Sequence, residues 1–339
     1  MIYIYLFLTT IIIYIVNNFL IKKNFLSSHT GEKHQTFVEK KNVVLSGGIY
    51  LGFFTSIIFF LSSYKIFGIF ILVFLTLGLL VDAKIIIKPH LRLFLQLILV
   101  FCVTYFYDLK IISTRVLLFD YLLKYQFFNY IFVCFCILVL VNGTNFIDGL
   151  NGLVISYYLI VLFFLFKNNF LTDILKQDLS VIILFYILLL LFLFNISNKL
   201  YLGDSGSYVI SVIFSFIIIN YYNQEVLISP YYIILLLWYP CFENLFSVLR
   251  KFRFNKSPIY PDNNHLHQLL FFFIKKKLNW KNLLTNNFCS LIINIFNFIV
   301  FFIGSIDIFN TKLQIYLIVS NVFIYLLVYY FLFNFRYKK

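Results

Sequence analysis

Charge is scarce in this sequence: Asp, Glu, Lys and Arg together make up only 12% of its 339 residues. A soluble globular domain carries roughly 25%, so a soluble enzyme or binding module is excluded and most of the chain must face lipid or other helices. Cysteine is sparse as well. The five present, Cys102, Cys134, Cys136, Cys241 and Cys289, are odd in number and sit in or beside apolar segments. That argues against a disulfide framework or a zinc ligand set and for packing roles. An internal repeat, a low-complexity linker and an extended hydrophilic domain are all missing, so residues 1–339 read as a single integral membrane domain. No basic residue precedes the first apolar run, Met1 to Ile21, while Lys22 and Lys23 follow it. The run therefore reads as a retained first helix with its N-terminus outside, not as a cleaved signal peptide.

What is abundant is apolar surface, with 62% hydrophobic and 22% aromatic residues. Apolar runs recur near the ~20 residues that a helix needs to cross ~30 Å of hydrocarbon. Barrel strands would need only ~10 residues and would alternate polar with apolar, which these runs do not. The fold class is all-α, a polytopic bundle of about 10 or 11 transmembrane helices. The spans fall at roughly 1–21, 43–62, 66–82, 91–107, 127–142, 153–166, 179–194, 207–222, 229–248, 287–304 and 313–333.

The formal net charge is +14, which in a soluble protein would point to nucleic acid. Here the basic residues gather in alternate loops, as they do on the cytoplasmic side of membrane proteins beside anionic lipid. Lys22, Lys23, Lys84, Lys88, Arg92, Lys199, Arg250, Lys251, Arg253 and Lys275 to Lys277 fall in inner loops, about residues 22–42, 82–92, 142–152, 195–207 and 249–286. Lys65, Lys110, Arg115, Lys124, Lys167, Lys176 and Lys312 stay outside. The partner this pattern implies is a lipid bilayer and not nucleic acid.

Four polar islands interrupt the apolar pattern, and in this topology all lie at the inner face: Gly78 to Asp82, Asn142 to Gly152, Asn198 to Ser207, and Ser257 to His267. Ionisable groups beside hydrocarbon are expensive, so their convergence on one face marks a functional site. In the second island Asn142, Asn145, Asp148 and Gly152 follow steps of three or four residues, which places amides and a carboxylate along one side of a helical extension. An ordinary turn with Asp148 as a helix cap is the alternative. In the third, Asp204 lies among Gly203, Ser205, Gly206 and Ser207, a setting for a magnesium-bound diphosphate or for a plain helix N-cap. In the fourth, His265 and His267 follow Arg250, Lys251, Arg253 and Lys256, which suits phosphates; a zinc site lacks further ligands, and a basic loop touching anionic lipid remains open. A transporter or lipid flippase would instead place its charges near the midplane on broken or repeated helices.

In order and spacing, Ser46-Gly47-Gly48, Gly78 to Gln96, Asn142 to Gly152, Gly203 to Ser207 and Ser257 to His267 resemble the polyprenyl-phosphate N-acetylhexosamine-1-phosphate transferases. This family includes phospho-N-acetylmuramoyl-pentapeptide transferase and undecaprenyl-phosphate N-acetylglucosamine-1-phosphate transferase. The resemblance implies transfer of a sugar 1-phosphate from a UDP-linked N-acetylated sugar to undecaprenyl phosphate, with release of UMP and a need for Mg²⁺, or Mn²⁺ in its place. It implies a bacterial inner membrane location, and a homodimer is one assembly it leaves open.

Carried over by position, Asp204 resembles the metal-ligating aspartate, and Asp82, Asp148, His265 and His267 resemble catalytic residues. Asn142, Asn145, Asn151, Arg92, Lys199, Arg250 and Arg253 resemble substrate-binding residues, with Gln96 one turn beyond Arg92. Val81 stands where many members carry the first aspartate of a pair, and Asn151 where many carry a second aspartate of their Asp-Gly-x-Asp-Gly block. Both departures remove a negative charge and resemble the branch that serves surface polysaccharide, or a relative with altered chemistry.

Overall fold

A computed structural model describes residues 2–23, 25–26, 43–168, 178–225, 227–253 and 263–337. Among these the chain forms fourteen helices: α1 (Ile2–Lys22), α2 (Gly47–Leu61), α3 (Lys65–Asp82), α4 (Pro89–Phe106), α5 (Leu117–Leu123), α6 (Gln126–Ile147), α7 (Leu153–Lys167), α8 (Asp178–Ile196), α9 (Gly203–Gln224), α10 (Pro230–Leu236), α11 (Trp238–Arg253), α12 (Leu266–Leu278), α13 (Asn282–Gly304) and α14 (Thr311–Tyr337). Helices α3, α4, α6, α9, α13 and α14 are each long and apolar enough to cross a membrane. The bent pair α10 and α11 and the shorter apolar helices α1, α2, α7 and α8 account for the other expected runs. The all-α polytopic bundle expected from the apolar pattern is therefore the architecture found.

Helix α9 is the axis of the bundle and is buried almost throughout. Its buried serines are satisfied locally: Ser211 donates to the Ser207 carbonyl at 2.7 Å and Ser215 to the Ser211 carbonyl at 2.8 Å. Small residues let α2 and α3 approach its start. A Cβ added at Gly78 would overlap the Ser205 backbone, and one added at Gly48 would overlap Ser205 and the Gly206 amide. The first orphan amides of α2 are met by the strand-like stretch before α9, with Gly47 N–H donating to Tyr201 O at 2.9 Å and Gly48 N–H to Leu202 O at 3.1 Å. Gly48 and Gly78 thus allow three helix ends to meet.

Two details depart from the sequence reading. The expected span 229–248 is not straight: α10 and α11 meet at 77°. Pro240 has no N–H for the carbonyl of Leu236, four residues earlier, and the Tyr157 hydroxyl on α7 donates to that carbonyl at 2.9 Å. The inner loop 249–286 is also not all loop, because α12 occupies its second half. Residues Ser257 to Asp262 of the fourth island, residues 27–42 of the first expected inner loop, Lys176 and Lys256 lie outside the described residues.

Because overpacking costs about 1–3 kcal/mol, Gly78→Ala is expected to lower the unfolding temperature of the purified protein in detergent. An unchanged melting profile would mean that α3 and α9 can separate at little cost.

Candidate functional site

The site begins with the start of α9. Leu202 occupies its N-cap position and offers no side-chain acceptor. The last residue of α3 supplies one instead: Asp82 accepts from Asp204 N–H at 2.8 Å, from Ser205 N–H at 3.1 Å and from the Ser205 hydroxyl at 2.6 Å. A carboxylate suits the positive end of a helix dipole, and such a cap is worth about 0.5–2 kcal/mol. Asp82, expected to serve in catalysis, is engaged through both oxygens in this clasp. Val81, its predecessor, is half-buried and packs against the main core.

With its amide held by Asp82, Asp204 presents its carboxylate to α4, where Arg92 lies 3.3 Å from Oδ2. Both side chains keep partial solvent access, 26% for Arg92 and 21% for Asp204, so this ion pair is open to exchange with a ligand. Gln96, one turn on, is fully buried and accepts from the Asn142 amide at 3.2 Å, tying α4 to α6.

Helix α6 carries the second island. The expected helical extension holds through Ile147, after which Asp148 takes a non-helical conformation as C-cap and Gly152 turns the chain with φ +78°. Asn145 is half-buried and makes no side-chain hydrogen bond among the described residues. The backbone N–H of Gly203 lies near Asp148 and favours its charged form, so the second island approaches the third. Burial, and then the charges of Asp204 and Asp82, push its carboxyl up to about 8. Asp148 is thus crowded by two other carboxyl groups, those of Asp82 and Asp204, and takes up a proton more readily than an ordinary carboxylate.

Asn151 has a different setting. It is buried, its N–H donates to Asn286 Oδ1 at 2.6 Å and its carbonyl accepts from Ser290 at 2.7 Å. Helix α13 thus holds the Asn151–Gly152 turn. Asn195, on α8, accepts from the Gly152 N–H.

The histidines close the fourth side. His265 is the N-cap of α12 and His267 lies within that helix, fully buried; the sequence had placed both in a polar loop. Their rings stack with centroids 5.7 Å apart. His267 packs on Gly149, where any Cβ would strike its ring, and His265 lies 5.3 Å from the Phe146 ring. Burial, and then the neighbouring His265, lower His267 to about 3, so it stays neutral. The fourth island therefore sits on the second, next to Asp148.

The basic residues divide. Arg250 is buried and donates to the Asn264 carbonyl, to the Tyr329 hydroxyl at 3.0 Å and to Ser247 at 3.2 Å. It anchors the turn before α12. Lys251 is buried over the Phe146 ring at 5.7 Å. Lys199 and Arg253 are exposed, as a ligand arriving from water would require. One site residue escaped the sequence reading: Glu243 on α11, fully buried, lies 2.9 Å from His265 Nδ1. An acidic residue within an otherwise apolar stretch was the available signal.

The sign of the Asp148 effect is testable. Its folded value lies above the ordinary carboxylate value, so its contribution to stability is present at low pH and is lost as pH rises through about 8. In detergent without divalent cation, the melting temperature is expected to fall between about pH 4 and about pH 8, and Asp148→Asn to flatten that fall. An equal slope in the variant would remove Asp148 from the charge cluster.

Comparison with known proteins bears on the same elements. No curated protein matches the chain. Residues 64–222, which run from the start of α3 nearly to the end of α9 and carry Asp82, Arg92, Asn142, Asn145, Asp148 and Asp204, match the family described as Glycosyl transferase family 4. That match supports a multi-pass membrane transferase of the polyprenyl-phosphate sugar-1-phosphate kind.

Proposed function

We propose that this chain transfers an N-acetylhexosamine 1-phosphate from a UDP-sugar to undecaprenyl phosphate, releases UMP, and so starts a lipid-linked glycan of the bacterial envelope, such as O-antigen. The observation that carries the reading is the convergence of all four polar islands at one end of the bundle. Asp82 clasps the start of α9, Asp148 meets Gly203, Arg92 meets Asp204, and His267 rests on Gly149. The two substrates are a membrane lipid and a water-soluble dianionic nucleotide sugar, and such a pair can meet only at the membrane surface. A transporter would hold its charges at mid-depth; these lie at helix ends.

In this reading an oxygen of the lipid phosphate attacks the phosphorus bonded to the sugar oxygen, the bond to UMP breaks, and the displaced charge stays on UMP. Phosphoryl transfer asks mainly for positioning and charge neutralisation. Arg92 and the exposed Lys199 and Arg253 provide cationic groups and His265 a ring nitrogen, while Asn142 and Asn145 face the nucleotide. The second pKa of a phosphate monoester is about 6, so the lipid phosphate is mostly a dianion at pH 7 and little is lost by having Val81 in place of a carboxylate. Asp82 then acts by orienting Asp204.

Asp204 and Asp148 would hold Mg²⁺ or Mn²⁺, and their crowded negative charge fits such an ion. Magnesium commonly takes one or two carboxylates and completes its shell with water and substrate phosphate. When bound, the ion would neutralise diphosphate charge.

Asp204→Asn is expected to cut Mg²⁺-dependent UMP release from UDP-N-acetylhexosamine and undecaprenyl phosphate by more than about a hundredfold, the scale of losing a charge-stabilising group; wild-type activity at limiting Mg²⁺ would remove it from the metal site. With the site at the cytoplasmic face, a cysteine at Asn263 in a background without native cysteines should resist an impermeant thiol reagent on intact cells, and one at Lys110 should react. Labelling of Asn263 from outside would overturn the orientation and the donor assignment together.

A further inference from the structure

Glu243 has no assigned task, yet it is a fully buried carboxylate placed among aromatic rings. Removing a carboxylate from water costs several kcal/mol unless good partners meet it. It has two. Oε1 lies 2.9 Å from His265 Nδ1, and Oε2 accepts from the Tyr325 hydroxyl on α14 at 2.6 Å. The His265 backbone is fixed as well, its N–H donating to Gln268 Oε1 at 3.2 Å, and its ring is held between Phe146 and His267. An ionised carboxylate only accepts hydrogen bonds, so the nitrogen facing it must carry the proton.

We propose that Glu243 is a positioning residue that fixes His265 with its proton on Nδ1, so that Nε2 meets the substrate as a hydrogen-bond acceptor for one of its O–H or N–H groups. Tyr325 holds the second carboxylate oxygen and so sets the angle of the first. The proposal rests on the sugar-phosphate transferase reading for what Nε2 contacts, and on geometry alone for the position of the proton. A purely architectural role, in which Glu243 pins α12 to α11 and α14, is the competing account.

The wild-type protein in detergent, labelled with ¹⁵N at histidine and assigned by the signal lost in His265→Asn, should show a protonated Nδ1 at His265 near about pH 7. In Glu243→Gln, whose amide can donate to that nitrogen instead, the proton should move to Nε2. In UMP release, Glu243→Gln should lower kcat by about ten- to a hundredfold, the range for groups that orient a reacting side chain, with the donor KM changed less than about threefold. In a His265→Ala background the same substitution should cost less than about twofold, because both changes remove one unit. An unprotonated Nδ1 in the wild-type spectrum, or full additivity of the two substitutions, overturns the proposal. The wild-type spectrum decides even where Glu243→Gln does not fold. A wild-type protein that releases no UMP would defeat the transferase reading while the spectrum still judged Glu243.

Discussion

The start of α9 is a helix N-terminus at the edge of a hydrocarbon layer, where unpaired amides have little water to turn to. Everything at the site follows from how those amides are met. Asp82 reaches across from the end of α3, so the two helices must end within hydrogen-bond distance of each other. Only glycine at positions 48 and 78 leaves room for that approach. The same clasp fixes the Asp204 backbone, which in turn settles where its carboxylate meets Arg92. A capping contact thereby becomes the frame for an electrostatic site.

That frame also explains how a chain so poor in charge concentrates what it has. Asp148 crowds the carboxyl groups of Asp82 and Asp204, and that crowding makes the site ready for a cation and for the phosphates that accompany it. On the other flank His267 stays neutral under burial, and its ring stacks on that of His265. The basic residues that remain in water, Lys199 and Arg253, lie outside this buried set.

Much of this was legible in the sequence, because membrane spans and polar islands obey strong and simple rules. Each of the apolar runs coincides with a helix or with the bent pair. That the polar islands of Asp82, Asp148, Asp204 and His265 lie at one end of the bundle was readable from the order of the apolar runs. What was not legible depends on contacts between distant segments. Asp82 as a cap for another helix needs the α3 to α9 distance, and Asn151 as a residue clasped by α13 needs Asn286 and Ser290. Arg250 as an anchor needs Tyr329, more than seventy positions away. The bend at Leu237 was signalled by Pro240, but proline alone does not say which residue will satisfy the released carbonyl.

That released carbonyl constrains how the chain enters the bilayer. Leu236 O is left without its helical donor in an apolar setting, and an unmet carbonyl there costs several kcal/mol. Its partner, Tyr157, belongs to α7, which precedes α10 in the chain. During synthesis the hydroxyl is therefore already made when the bent segment emerges, and the kink can be completed on arrival. Had the donor come from α13 or α14, the open carbonyl would have had to wait in lipid through the making of two more helices. Chain order, as much as final geometry, makes a 77° bend tolerable in this fold.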